Sequence, residues 1–169
     1  MYFFGMVKKM SKKQYQWLPS LMECSNLANW QEYEDKLYKV YTNDLRTNPP
    51  KYFGKPVITS YYPPYKNKAG FFWHLTHEGK IESERTPDIE RCERLIWIKP
   101  VIEHASELQH YSKDTQKGVK EYLWLDEEEY LVILKPRGNI YVLITAFHVD
   151  YYKSVERYRR EIMLLSAKK

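Results

Sequence analysis

Two apolar runs constrain this chain most: Tyr130-Leu-Val-Ile-Leu134 and Ile140-Tyr-Val-Leu-Ile144. They are rich in β-branched and aromatic residues and nearly continuous, the pattern of central strands covered on both faces. Pro136-Arg137-Gly138 between them predicts a tight hairpin. With Glu121 to Leu125 ahead of it, the last third reads as a meander: Glu121 to Leu125, Glu129 to Lys135 and Asn139 to Phe147.

Covering such strands takes helices, and the rest of the chain supplies them. Leu27, Trp30, Tyr33, Leu37, Val40 and Tyr41 recur at three- and four-residue steps, which predicts an amphipathic helix capped by Ser25 or Asn26 and stopped before Pro49-Pro50. Pro56 to Tyr62 predicts a short strand, placed at a sheet edge by its bracketing prolines. Phe71 to His77 predicts another, with His74 and Thr76 on one face. Thr86-Pro87-Asp88 is a helix start with Thr86 as capping hydroxyl; Ile89, Cys92, Leu95 and Ile96 form the buried stripe, leaving Glu90, Arg91, Glu93 and Arg94 for the flanks and outer face. Pro100 should end that helix, with Trp97 to Glu103 running on irregularly, and Lys113 to Gly118 reads as a polar turn. Asp150 is expected to cap a last helix with Tyr152, Val155, Tyr158 or Arg159, Ile162 and Leu165 as its stripe. The fold class is therefore α+β: one domain over 26–169, a mainly antiparallel sheet of four to five strands packed with N-terminal, middle and C-terminal helices, after an arm or short lead-in helix over 1–25.

At 169 residues, with 43% hydrophobic residues and 16 tyrosines, the chain has enough core-formers to fold alone. Its net charge of +5 favours acidic partners, nucleic acid first. The last helix concentrates this charge in Lys153, Arg157, Arg159, Arg160, Lys168 and Lys169, although a solvated helix face has the same look. Two distant cysteines, no secretory leader and no long apolar window fit a reducing cytoplasm and no membrane.

Glycine-rich phosphate loops, Cys-x-x-Cys, His-Glu-x-x-His and Gly-x-Ser-x-Gly are all absent from the sequence. His74 and His77 would point to opposite faces of a regular strand, so neither a metal site nor a cofactor is expected. What remains is an acid–base set of His74, His77, Glu82, Glu84 and Arg85, with Lys135, Thr145 and His148 from the distant hairpin. Metal-free RNA cleavage needs a base for the 2′-hydroxyl, an acid for the 5′-oxygen and cations for the phosphorane, and these residue types suffice. Each also has an ordinary role: a hydrogen-bonded strand histidine, a surface Glu84–Arg85 pair, a helix cap.

Phe-Trp-His-Leu-Thr at 72–76, Glu-Arg-Thr-Pro-Asp at 84–88, Arg-Cys-Glu-Arg-Leu at 91–95, Tyr-Leu-Val-Ile-Leu at 130–134 and Leu-Ile-Thr-Ala-Phe at 143–147 together resemble, in order and spacing, phage and mobile-element nucleases of the barnase–EndoU–colicin–RelE (BECR) superfamily. The similarity runs from about Leu27 to Glu161. It implies a compact sheet with packed helices and a metal-independent, toxin-like ribonuclease. RNA, tRNA included, would be its substrate, and a cognate antitoxin or immunity protein its partner. Carried over residue by residue, it implies His74 as general base or acid, Arg85 and, by a looser match, Lys135 as phosphorane-stabilising cations, and Thr145 as a phosphate ligand or orienter of His74. Glu84 is the reserve base. His77, His148, Arg157 and Arg160 are candidate substrate-binding residues. The competing readings are a non-catalytic RNA- or protein-binding module of the same fold, whose tyrosines could stack bases, and an antitoxin- or immunity-like interaction protein.

Overall fold

A computed structural model describes residues 15–25, 27–81 and 84–166. The expectations for residues 1–14, for Asn26 as a cap and for Lys168 and Lys169 lie outside the described residues. The fold is α+β, built on one mainly antiparallel sheet. The first half runs α1 (Trp30–Tyr41), β1 (Lys51–Tyr52), β2 (Lys55–Ile58), α2 (Gly70–Thr76), β3 (His77–Glu78), β4 (Thr86–Pro87), α3 (Ile89–Glu93) and α4 (Ile98–Glu103). The second runs β5 (Gln109–Thr115), β6 (Gly118–Leu125), β7 (Tyr130–Arg137), β8 (Ile140–His148) and α5 (Tyr152–Ser166). Six strands lie in the order β1-β2-β8-β7-β6-β5, with β3 and β4 as a separate ladder. Among the described residues only β2 and β8 pair in parallel.

The apolar hairpin holds the centre. Tyr130 to Leu134 are all buried, and their side chains alternate between two cores. Tyr130, Val132 and Leu134 join α1, α2, α3 and α4 on one face; Leu131 and Ile133 join Val155, Tyr158 and Ile162 of α5 on the other. The turn is Gly138-Asn139 rather than Pro136-Arg137-Gly138, because Pro136 and Arg137 still pair with Tyr141 and Ile140, and Gly138 takes the positive φ of 59° that a two-residue hairpin needs. Two strands of the sheet are not expected from the sequence, the short β1 and the seven-residue β5. The latter is polar except at Tyr111, so its alternation is that of an edge strand and not of the Lys113–Gly118 turn the sequence suggests.

Where the sequence predicts a strand over Phe71–His77, Phe71 to Thr76 are helical and His77 begins β3. The apolar positions of this stretch are so dense that either period fits, and packing decides. Phe72 meets Tyr38 and Tyr41 of α1 edge-on at 5.0 and 5.6 Å, the Trp73 indole donates to the Tyr65 carbonyl, and Thr76 bonds back to Phe72. Gly70 admits the helix, since a Cβ there would sit 2.1 Å from the Pro63 carbonyl oxygen. Thr86 is not a cap: it pairs with Glu78, and Asp88 accepts from the Arg91 amide instead. Pro100 lies in the first turn of α4, where its missing N–H costs nothing, so 98–103 is helical and not irregular. Nor is β2 an edge; the Phe53-Gly54 turn, with φ of 45° and 82°, folds β1 back onto its outer side. Asp150 turns toward His148 (2.5 Å), while the backbone N–H groups of Ser154 and Val155 bond to Tyr151.

The α1 helix starts at Trp30, after a 3-10 turn over Leu27–Asn29, so neither Ser25 nor Leu27 plays the part expected of it; Leu27 is exposed. Residues 15–25 lie against the body: Trp17 stacks on His104 at 4.4 Å, the Trp97 indole donates to the Pro19 carbonyl and Tyr33 to that of Met22. Among the described residues no helix is long and apolar enough to cross a membrane. Because Phe72 locks α2 to α1 with no exposed surface, Phe72→Ala is expected to cost about 3–5 kcal/mol, read from the urea unfolding midpoint.

Candidate active site

The helical reading of α2 changes where its polar groups point. His74 reaches β8, where its ring bonds to the backbone of Ile144, and stacks on Phe71 at 5.2 Å. His77 begins β3 instead; its Nδ1 lies 2.8 Å from the Thr76 hydroxyl and its ring meets Trp73 edge-on.

Between α2 and β8 stands Arg91, which the sequence reading leaves on the flank of its helix. Its Nη1 donates to the His74 carbonyl (3.3 Å) and to the Thr145 hydroxyl (3.5 Å). Asp88, the cap of the same short helix, orients the guanidinium through Nε at 3.3 Å, and the Phe147 ring lies 5.3 Å from it. Arg91 therefore ties the His74 backbone to the Thr145 side chain, and its charge also acts on the His74 ring. The one sequence signal for it is the Asp88-x-x-Arg91 spacing, which places acid and base on one side of a helix.

Arg85 stands nearby but in a different posture, with its Nε donating to the Gly79 carbonyl at 3.2 Å. Its charge is felt by both histidines. Burial first, then Arg91 and Arg85, lower the His74 pKa below its ordinary 6.5. Burial, then Lys66 and Arg85, hold His77 at about 4. Both rings are neutral at pH 7. With one nitrogen of His74 engaged by Ile144, the neutral ring has its other lone pair to accept a proton.

The remaining candidates are dispersed. Glu84 is exposed, with its amide on the Ile81 carbonyl, and Glu82 lies outside the described residues. Lys135 is directed to the β5–β6 turn, where Nζ donates to the Lys117 carbonyl at 2.8 Å. Arg157 bonds the Tyr158 hydroxyl at 3.3 Å, and Arg160 is exposed on the outer side of α5. His148 is held by carboxylates: Nδ1 lies 2.8 Å from Glu90 and 2.5 Å from Asp150. The Glu90–Asp150 hydrogen bond raises the Glu90 pKa and lowers that of Asp150. Ligand atoms of these three residues lie within 4.8 Å of one another, close enough to share a cation. Cys92 offers no nucleophile, since burial pushes its thiol up to about 12.

No family model, curated protein or solved structure matches the chain. The site is therefore read from its own geometry.

An NMR titration should place the His77 midpoint at about 4 rather than 6.5. The sign for stability follows. Between pH 6.5 and about 4 the unfolded chain takes up a proton that the folded chain refuses, so stability falls as pH drops through that window. The His77→Gln variant is expected to lose that part of the slope in urea unfolding measured at each pH.

Proposed function

We propose that this chain is a metal-independent, toxin-like endoribonuclease that cleaves RNA by attack of the 2′-hydroxyl on the adjacent phosphorus, as the resemblance to BECR nucleases implies. The observation that carries the reading is Arg91 bonded at once to the His74 carbonyl and the Thr145 hydroxyl, beside a histidine kept neutral. A neutral imidazole is the form a general base requires.

In this reading the free nitrogen of His74 takes the 2′-hydroxyl proton as O2′ bonds to phosphorus. Arg91, with Arg85 behind it, meets the charge that builds on the non-bridging oxygens, and Thr145 donates to one of them. The P–O5′ bond then breaks, and the leaving oxygen takes a proton from water. The products are a 2′,3′-cyclic phosphate and a free 5′-hydroxyl. A cysteine count of two, Cys24 and the buried Cys92, fits a reducing compartment, and the reading carries with it action in the cytoplasm and a cognate antitoxin or immunity protein.

Purified protein incubated with total RNA and EDTA is expected to cleave it. His74→Ala should lower the rate about 10²–10⁴-fold, and Arg91→Ala about 10²–10³-fold; unchanged rates in both would sink the assignment. RNA binding that weakens with salt, without cleavage, would favour the non-catalytic module. The pH profile gives a separate check. Activity should rise with pH through the His74 pKa and level off below 6.5, and Arg85→Ala, which removes a neighbouring cation, should move that midpoint upward.

A further inference from the structure

On the face of the sheet that carries α5, three lysines stand side by side on three adjacent strands. Lys113 of β5 is directly opposite Lys120 of β6, and Lys135 of β7 lies one residue beyond the Glu121–Leu134 pair, which brings it next to Lys120. Alternation sets their common face: Tyr111, Tyr122 and Ile133, two residues away on each strand, all belong to the core under α5. Like charges opposed across a sheet are unfavourable. Lysines on edge strands are common because they block aggregation, but β6 and β7 are internal, so that explanation stops at Lys113. The ion pairs among the described residues include Lys113, held by Glu161 at 2.6 Å, but neither Lys120 nor Lys135.

The cover thins toward this row. Trp124 and Leu131, under the middle of α5, are 1% and 0% exposed, whereas Tyr122 and Ile133, next to the lysines, are each 8% exposed. Arg157 stands at that border, its guanidinium 5.0 Å from the Tyr158 ring centre and close enough for its charge to act on Tyr122. The row also leads to the candidate site. Lys135 pairs with Val142; beyond it a bulge places Ile144 against the α5 core, and Thr145, opposite Ile133, follows on the same face, where Arg91 reaches it. With strands about 4.8 Å apart, Lys113 to Lys135 spans about 10 Å.

We propose that Lys113, Lys120 and Lys135, with Arg157 at their border, form a track for the phosphate backbone of a single-stranded RNA whose neighbouring phosphate lies at Arg91 and Thr145. The track rests on the ribonuclease reading for the identity of its strand, and on charge and placement for its existence. It contacts phosphates, not bases, so it adds affinity without sequence preference.

The test separates binding from cleavage by using a His74→Ala background. A fluorescent 12-nucleotide RNA is titrated by anisotropy between 50 and 200 mM salt, with Lys113, Lys120 and Lys135 intact or all changed to Gln. The intact row should bind tighter by tenfold or more at the lower salt, and its salt slope should be steeper by about 2, at ~0.7 per phosphate contact. The same triple change at Lys36 and Lys39 of α1 and at Lys55, which pairs with Tyr52 on the opposite face of the sheet, is the control for net charge and should leave the slope nearly unchanged. Circular dichroism melting confirms that each variant folds. Equal affinity and slope with and without the row would overturn the track, as would a row-dependent gain for polyglutamate but not for RNA. Row-dependent RNA binding in a protein that never cleaves would remove the ribonuclease reading and leave the track standing. Cleavage that ignores the row would do the reverse.

Discussion

Among the described residues, β8 has no strand on its outer side beyond Val142. β2 pairs with it only at Tyr141 and Val142, so the outward backbone groups farther along β8 need other partners. The α2 and α3 helices lie along that open stretch, and their contacts there are polar as well as apolar: the His74 ring on the Ile144 backbone, Arg91 on Thr145. Covering the strand and assembling the candidate site are thus one act of packing. Whatever holds α2 in place, Phe72 between two tyrosines of α1 above all, also holds the His74 ring at β8.

Much of this was readable along the chain where a window was long enough to show a period. The central hairpin, the body of the first helix and most of the α5 stripe lie where the residues put them: Val155, Tyr158 and Ile162 are buried, although Tyr152 is exposed. Short windows misled. Phe71–His77 is apolar enough for either a strand or a helix, and the choice is made by α1 and β8, which lie far away in sequence. The α3 helix has only five residues, too few for a pattern to say which way Arg91 points, and its partner Thr145 lies 54 residues on. Lys113 and Lys120 read as a polar turn and its surroundings because an edge strand with one buried tyrosine has almost no strand signature.

Adjacent residues give α3 two opposite electrical sides. Arg91 faces α2 and Thr145, while Glu90 faces His148 and Asp150. These two sides belong to different faces of the sheet: Thr145, opposite Ile133, lies on the α5 face, whereas His148, opposite Tyr130, lies on the face that α2 and α3 cover. One short helix thus sends a cation toward one face and a carboxylate toward the other.

The parallel pairing of Val57 with Tyr141 joins β2 to a strand made much later in the chain. Nearly all other ladders of the sheet link neighbours in sequence, so they can zip locally, while this one waits for a large loop to close. A chain emerging from the ribosome holds His74 and Arg91 well before it holds Thr145. The two halves of the candidate site stay apart until β8 has been synthesised and docked, so a nascent chain carries His74 and Arg91 without the partner strand that brings Thr145 to them.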